Sequence, residues 1–232
     1  MSAGPTRRGL LAAAIAVAPG LFLVANAAPR PPGSAASARN RWDLLIDTTR
    51  CDAGCTACVD ACRQEQGWGG PASDGPWIRK IEAIEMQTGR SVSLPLMCQH
   101  CAEPPCVEVC PTGASLRRAD GIVLVDRHRC IGCRYCVMAC PFAARFFVDA
   151  EVHDQRAATP RGKGTAEGCT LCVHRLDAGR LPACVEACAG GAMLFGDLLD
   201  PAAGISQALR ARASTALRAE LGLDAAIRYQ GL

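Results

Sequence analysis

Short apolar runs separated by turn residues recur along the chain from Trp42 onward, and this pattern predicts short strands rather than long helices. Trp42–Asp47 is mostly apolar and predicts a strand. Residues 78–84 and 91–96 flank a glycine-containing turn and predict a β-hairpin. Residues 121–126 and 145–148 predict two further strands. Together with the helix predicted near the C-terminus, these short strands indicate an α+β fold.

The C-terminal part of the chain has a different pattern. Residues 205–221 are rich in Ala, Leu and Arg, with apolar residues near helical spacing, which predicts a helix. Two interpretations of this segment are open. A helix packed against its own domain is favoured over a helix that docks onto a partner.

The N-terminal 28 residues are typical of a targeting segment. Arg7-Arg8 precede an uncharged apolar stretch, and Ala25-Asn26-Ala27 gives the small-residue pattern expected before a cleavage point. Paired arginines followed by Leu10-Leu11 resemble a twin-arginine (Tat) export signal. The alternative is an uncleaved membrane anchor. Residues 29–41 are rich in Pro, Ala and Ser and predict a flexible linker.

Composition indicates that something other than a large apolar core stabilises the protein. Only 4% of residues are aromatic, whereas sixteen of the 232 residues are cysteines. The formal net charge is +3, and no Lys/Arg run is long enough to indicate nucleic-acid binding.

The sixteen cysteines fall into four groups of four, and this internal repeat is the main organising feature of the chain. The groups are Cys51-x3-Cys55-x2-Cys58-x3-Cys62, Cys98-x2-Cys101-x4-Cys106-x3-Cys110, Cys130-x2-Cys133-x2-Cys136-x3-Cys140, and Cys169-x2-Cys172 with Cys184-x3-Cys188. A [4Fe–4S] cluster needs four thiolates. In two-cluster ferredoxins three closely spaced cysteines bind one cluster, while a fourth begins a helix that points away and binds the other cluster.

The spacing of the second and third groups therefore predicts a complete two-cluster unit. Pro111 and Pro141 follow the fourth cysteine of these groups, as in bacterial ferredoxins. The predicted ligands of one cluster are Cys98, Cys101, Cys106 and Cys140. Those of its neighbour are Cys130, Cys133, Cys136 and Cys110.

Other uses of the cysteines are less favoured. Disulfide partners are usually dispersed along a chain rather than gathered in quartets. Structural zinc normally uses two separated pairs of ligands per ion. A c-type haem needs Cys-x-x-Cys-His, which does not occur in the sequence. Disulfides and zinc remain as remote alternatives.

Charged and titratable residues near the cysteines are candidates for supporting roles. Five arginines lie beside predicted ligands and either offset cluster charge or are solvated: Arg50, Arg63, Arg129, Arg134 and Arg175. His100 lies between two ligands and is expected to have a supporting or surface role rather than to bind iron. No phosphate loop, dinucleotide fingerprint or acid–base constellation is present.

From Trp42 to the C-terminus the sequence resembles the four-cluster ferredoxin-like subunits of membrane-associated redox complexes. That family includes the electron-transfer subunits of polysulfide, tetrathionate and dimethyl-sulfoxide reductases, and NrfC. The matching segments are Met97-Cys98-Gln99-His100-Cys101, Pro104-Pro105-Cys106, residues 120–126, and Phe195-Gly196-Asp197-Leu198. Cys51 and Cys55 are separated by three residues where the family generally has two. With the Tat-like signal, this spacing is most similar to the DsrO type of the DsrMKJOP complex.

The resemblance implies two pseudo-symmetric bacterial-type ferredoxin modules with a small β-hairpin insertion and a C-terminal helical tail. The expected boundaries are residues 42–200 for the four-cluster domain and 201–232 for the tail. Within the domain the inner module spans about 94–148, and the outer module is formed by 42–66 and 165–200. The resemblance also implies the ligands of the outer pair, which are Cys51, Cys55, Cys58 and Cys188 for one cluster and Cys169, Cys172, Cys184 and Cys62 for the other.

We therefore expect an exported electron-transfer subunit with four [4Fe–4S] clusters and no substrate site of its own. The resemblance implies a periplasmic location and an NrfD-type integral membrane partner that exchanges electrons with quinone or a multihaem cytochrome. An alternative is the electron-transfer subunit of a molybdopterin reductase. An enzyme with its own substrate site is disfavoured, because all sixteen cysteines are already assigned.

Overall fold

The computed structural model describes residues 36–70, 75–84, 86–153 and 155–232. The predicted signal segment, residues 1–28, and most of the predicted linker lie outside the described residues. No helix within these ranges is both long and apolar enough to cross a bilayer.

Nine short strands and six short helices make up the described part of the chain. The strands are β1 (Trp42–Asp47), β2 (Ile78–Ile84), β3 (Ser91–Met97), β4 (Ser115–Arg117), β5 (Val123–Val125), β6 (Phe146–Phe147), β7 (Ala166–Glu167), β8 (Met193–Asp197) and β9 (Ile227–Gln230). The helices are α1 (Ala57–Gln66), α2 (Pro105–Glu108), α3 (Tyr135–Ala139), α4 (Val173–Leu176), α5 (Ala183–Glu186) and α6 (Gly204–Ala211), with 3-10 turns at Thr48–Arg50 and Ala219–Leu221.

A three-stranded sheet in the order β8-β1-β9 forms the centre of the main apolar core. β1 pairs antiparallel with β8 and parallel with β9, so both edges of the predicted first strand are covered. Leu44 and Ile46 are fully buried, and Trp42 stacks on Phe195 with ring centroids 5.4 Å apart. The sheet therefore anchors the start of the domain beside the first cysteine group.

Two segments of the chain are similar in sequence and in local structure. Residues 104–110 read PPCVEVC and residues 182–188 read PACVEAC, and each contains one short helix that begins after a proline. α2 packs against α3, while α1 packs against α5. Each of these helix pairs carries cysteines from two different groups. The expectation of a ferredoxin-like α+β fold is confirmed.

The predicted β-hairpin is present as β2 and β3, which pair along their whole length from Ile78↔Met97 to Ile84↔Ser91. The strands predicted at 121–126 and 145–148 are present but shorter than expected. Regular pairing is confined to three and two residues there, because the adjacent residues belong to the loops that carry the cysteines.

The expectation that the fourth cysteine of a group begins a helix was wrong. α3 ends at Ala139, and Cys140 has an extended backbone (φ −75°, ψ 110°). Pro141 explains this change, because a residue that precedes proline disfavours helical geometry. Cys110 and Cys188 likewise follow α2 and α5. In the second, third and fourth groups the helix therefore lies before the fourth cysteine, whereas Cys62, the fourth cysteine of the first group, lies within α1.

The C-terminal helix is shorter than predicted, and the tail is only partly helical. α6 ends at Ala211, whereas the apolar pattern predicted a helix to Leu221. The backbone N–H and C=O groups of Thr215 instead form hydrogen bonds with Tyr229, at 2.7 and 2.9 Å. This segment is therefore hydrogen-bonded to β9 and does not continue the helix. The chain end thereby joins the central sheet.

Candidate iron–sulfur sites

None of the sixteen cysteines forms a disulfide bond, and two of the predicted quartets line separate cavities. We call them quartet C (Cys98, Cys101, Cys106 and Cys140) and quartet D (Cys110, Cys130, Cys133 and Cys136). All four members of quartet C line one of these cavities, and all four members of quartet D line the other. In each quartet three cysteines come from one sequence group and the fourth comes from the other.

Two further quartets are brought together in the outer part of the domain. We call them quartet A (Cys51, Cys55, Cys58 and Cys188) and quartet B (Cys62, Cys169, Cys172 and Cys184). Burial raises the pKa of Cys58 to about 11, and the thiolates of the other three members of quartet A add to this rise. Burial and the thiolates of Cys172 and Cys62 raise the pKa of Cys184 well above its usual range.

Left-handed backbone just before the second cysteine shapes three of the four loops. His100, Gly132 and Leu171 occupy this position, with φ of +44°, +74° and +52°. Side chains other than glycine rarely adopt this conformation, so the tight turn is imposed by the surrounding fold. Gly54, the corresponding residue of the first group, has no left-handed φ. The extra residue in Cys51-x3-Cys55 gives that loop a different path.

N–H groups donate hydrogen bonds to at least one sulfur atom in three of the quartets. The donors and acceptors are Ala144 N to Cys140 Sγ (3.5 Å), Ser115 N to Cys110 Sγ (3.3 Å), Ala166 N to Cys130 Sγ (3.5 Å), Leu171 N to Cys169 Sγ (3.4 Å), Gln66 Nε2 to Cys172 Sγ (3.3 Å) and Trp68 Nε1 to Cys62 Sγ (3.3 Å). Such bonds stabilise thiolate charge and orient the ligands. The surroundings of the sulfur atoms are therefore suited to metal-bound thiolates.

The donor set fits an iron–sulfur cluster. Burial raises the pKa of Cys98 to about 11 and that of Cys101 to about 12, so several adjacent thiolates need a cationic group to neutralise them. In the described ranges, no group of three or more His, Cys, Asp or Glu side chains is arranged to hold a single metal ion. Four separated thiols around a cavity match a larger, four-iron group.

Charge interactions between cysteine thiolates link the four quartets in the order A, B, C, D. Cys184 of quartet B is close enough to Cys58 of quartet A for their charges to interact. Cys169 of quartet B is similarly close to Cys98 of quartet C. Cys136 of quartet D is close to Cys106 of quartet C. The exposed cysteines, Cys55 and Cys133, belong to the two end quartets, whereas the middle quartets have none.

The five arginines that lie beside predicted ligands in the sequence differ in their surroundings. Arg175 is buried and bonds to Glu65 at 2.7 Å and also to Glu186. Arg63 pairs with Asp60 on the surface. The remaining three, Arg50, Arg129 and Arg134, are exposed. Arg134 lies over the Phe147 ring, 3.8 Å from its centroid.

His100 is fully buried, so the surface role considered for it is excluded. Its Nδ1 accepts a hydrogen bond from the Val123 amide at 3.0 Å, which places the ring proton on Nε2. Burial, followed by the charges of Arg145 and Arg41, lowers the pKa of His100 to about 3. The ring is therefore neutral and supports the loop of quartet C.

Sequence reasoning missed two cationic side chains close to the quartets. Lys80, on β2, donates hydrogen bonds to the carbonyl oxygens of Cys55 (2.7 Å), Ala53 (3.3 Å) and Asp52. It thereby ties together the lengthened loop of the first group. Arg145 is buried beside quartets C and D. Both contacts join distant parts of the chain, and no local pattern distinguishes either residue from a surface cation.

Comparison with known proteins defines the class. The sequence profile of the 4Fe-4S dicluster domain family matches residues 90–198, a span that contains the second, third and fourth cysteine groups. The chain belongs to this family of iron–sulfur electron-transfer proteins. The resemblance recognised in the sequence is thereby confirmed.

Curated relatives extend the match beyond that span. The chain is 42% identical over 203 residues to a tetrathionate reductase subunit from Salmonella typhimurium, and the match covers 84% of this chain and 74% of the relative. It is 38% identical over 229 residues to the Hdr-like menaquinol oxidoreductase iron-sulfur subunit 1 of Archaeoglobus fulgidus, covering 84% of each. It is 42% identical over 184 residues to protein NrfC of Escherichia coli K12, covering 78% of this chain and 77% of that protein.

Replacing Gly132 should disturb the loop of quartet D. An alanine Cβ at this position would lie 2.5 Å from the Gly164 carbonyl oxygen, and φ is +74°. We expect Gly132→Ala to lower the free energy of unfolding by roughly 1–2 kcal/mol or more, because alanine is strained in left-handed backbone. Thermal unfolding of the anaerobic protein measures this. Gly54→Ala is the matched control, since nothing lies within 4 Å of its Cβ position; equal effects of the two variants would contradict this explanation.

Replacing Lys80 should selectively weaken the site of quartet A. Lys80→Met removes the donor that joins three loop carbonyls, so we expect faster iron loss from this site when the protein is exposed to air. Lys163→Met is the control, because Lys163 is the other lysine of the chain and is exposed. Iron release and electron paramagnetic resonance (EPR) spectra recorded over time provide the measurement. Identical iron loss in the two variants would refute a stabilising role for Lys80.

Proposed function

We propose that this protein relays electrons through four [4Fe–4S] clusters, held by quartets A, B, C and D, as a subunit of a membrane-bound redox complex. The single observation that carries the proposal is the order of the quartets, with an exposed cysteine only at the two ends among the described residues. This order provides one path through the protein, with a point of surface access at each end.

The chain contributes ligands, burial and hydrogen bonds to this relay. When bound, each cluster takes up and releases one electron with the charge spread over the cube. The buried cysteines keep water away from the middle sites, and the N–H donors to sulfur hold the thiolates in place. Rigid ligands and low solvent exposure limit reorganisation as charge moves.

We further propose that the chain has no substrate site of its own. All sixteen cysteines serve as ligands in this scheme, so no iron corner is left open for a substrate. The ferredoxin-like domain comprises residues 42–200, with an inner module at about 94–148 and an outer module formed by 42–66 and 165–200. Substrate turnover then takes place in another subunit of the complex.

The proposed location is the periplasmic face of the inner membrane. Residues 1–28 act as a Tat signal, residues 29–41 as a linker, and the folded domain attaches to the membrane through an NrfD-type integral membrane subunit. A multihaem cytochrome is a further proposed partner. The tetrathionate reductase, menaquinol oxidoreductase and NrfC relatives support membership in a respiratory complex.

Two types of complex are candidates. The three-residue spacing of Cys51 and Cys55 favours the DsrMKJOP type. The relatives named as subunits of tetrathionate reductase and dimethyl sulfoxide reductase favour a molybdopterin reductase instead. Molybdenum analysis of the anaerobically purified complex distinguishes them, because only the second type contains molybdenum.

The relay is tested in anaerobic membranes that contain the native complex. After reduction with dithionite and its removal, we expect duroquinone to reoxidise the clusters at least tenfold faster in membranes than in the purified chain, because the chain itself lacks a quinone site. The measurement is freeze-quench EPR.

The control variant is Cys101→Ala, which removes a ligand of the middle quartet C. Because quartet C then interrupts the path, we expect only the clusters on one side of quartet C to be reoxidised in the fast phase. Wild-type reoxidation of both ends in this variant, or equally fast reoxidation of the purified chain, would count against the relay.

A further inference from the structure

Arg145 is a buried cation placed between the two inner quartets. Only 5% of its surface is accessible to solvent. The guanidinium Nη2 donates a hydrogen bond to Cys106 Sγ of quartet C at 3.7 Å. The anionic groups that act on its charge are the thiolates of Cys106, Cys98 and Cys136, and the last of these belongs to quartet D. The charge of one side chain therefore interacts with ligands of two different sites.

Unlike the other buried arginines, Arg145 has no carboxylate partner within the described part of the chain. Arg161 is paired with Glu167, and Arg175 is paired with Glu65. An isolated charge in a protein interior is strongly unfavourable, so buried cations are normally paired with an anion. For Arg145 the available anions are the thiolates of quartets C and D.

Water can complete the hydrogen bonding of Arg145 but cannot neutralise it. Its Nε has no protein acceptor, and the residue lines a cavity of about 140 Å³ together with Thr159 and Thr170, whose hydroxyls are also unpartnered. A polar cavity of this size has room for ordered water. The positive charge remains to be balanced by the quartets.

We propose that Arg145 is the shared counter-ion of the two inner clusters. This inference rests on the proposed cluster content of quartets C and D. A cation between the two sites stabilises the reduced, more negatively charged state of each cluster, and it also screens the repulsion between them. Arg145 is thus a residue that sets the reduction potentials of the middle and the end of the relay, without itself binding iron.

Exposed arginines near the same clusters provide a contrast. Arg129 is adjacent to Cys130 in sequence but is exposed, and its Nη2 donates to the Thr112 carbonyl oxygen at 2.9 Å. Solvent and salt screen a charge at such a position. Arg129 should therefore influence the potential of quartet D much less than Arg145 does, although it is closer in sequence to a ligand.

The test is an EPR-monitored redox titration of the anaerobic holoprotein and of the variants Arg145→Met, Arg145→Lys and Arg129→Met. Signals are assigned by the parallel loss of one cluster in Cys101→Ala and Cys133→Ala. We expect Arg145→Met to change the reduction equilibrium of both inner clusters at least tenfold, which lowers each midpoint by about 59 mV or more. Arg145→Lys should restore most of the shift, and Arg129→Met should have little effect. The two outer clusters serve as internal references.

The loading and the potentials of the inner clusters in these variants support or contradict the role of Arg145. If Arg145→Met fails to load the inner clusters while Arg145→Lys loads them normally, a requirement for charge is supported. If both variants fail alike, the side chain acts through its shape, and the proposal is wrong. Unchanged inner potentials in Arg145→Met would also overturn it. The iron content of the wild-type protein is a separate test, so failure of the cluster assignment itself would be recognised independently.

Discussion

Four thiols must meet at each site, yet the residues that carry them are far apart in the sequence. Cys140 reaches quartet C from the third group, and Cys188 reaches quartet A from the last group. This exchange requires each short helix to run from one site toward the next, and it explains why α2 packs with α3 and α1 with α5. The central sheet then fixes the segment before the first group against the segment after the last. In this account the fold is a consequence of bringing sixteen sulfur atoms together in four places.

Electrostatics decides how such a protein is stabilised. Buried thiols resist ionisation, as the raised pKa values of Cys98, Cys101 and Cys58 show, and four thiolates in one cavity need compensating positive charge. The bound iron supplies most of it. Peptide N–H groups, Lys80 beside quartet A and Arg145 beside quartets C and D contribute the rest. Their unequal distribution gives each site a distinct environment, which is the means by which a protein assigns different reduction potentials to similar clusters.

Cysteine spacing and short apolar runs predicted much of the fold. The strand Trp42–Asp47 and the hairpin that follows it appear where the pattern predicted them, and the cysteines of the inner unit line two cavities. Other features depend on contacts between distant segments. β9 has only four residues, and its pairing with β1 is not visible locally. The helix predicted to Leu221 stops at Ala211 because Thr215 bonds to Tyr229 instead. Lys80 and Arg145 resemble surface cations in the sequence, since their partners are supplied by the folded chain.

We propose that every cysteine of the chain is an iron ligand. This proposal is tested by quantitative analysis of iron and acid-labile sulfide in anaerobically purified protein. We expect about sixteen atoms of each per chain, as four [4Fe–4S] clusters require. A preparation that contains zinc in place of iron, or whose cysteines are joined to one another as disulfides in the native state, would contradict it.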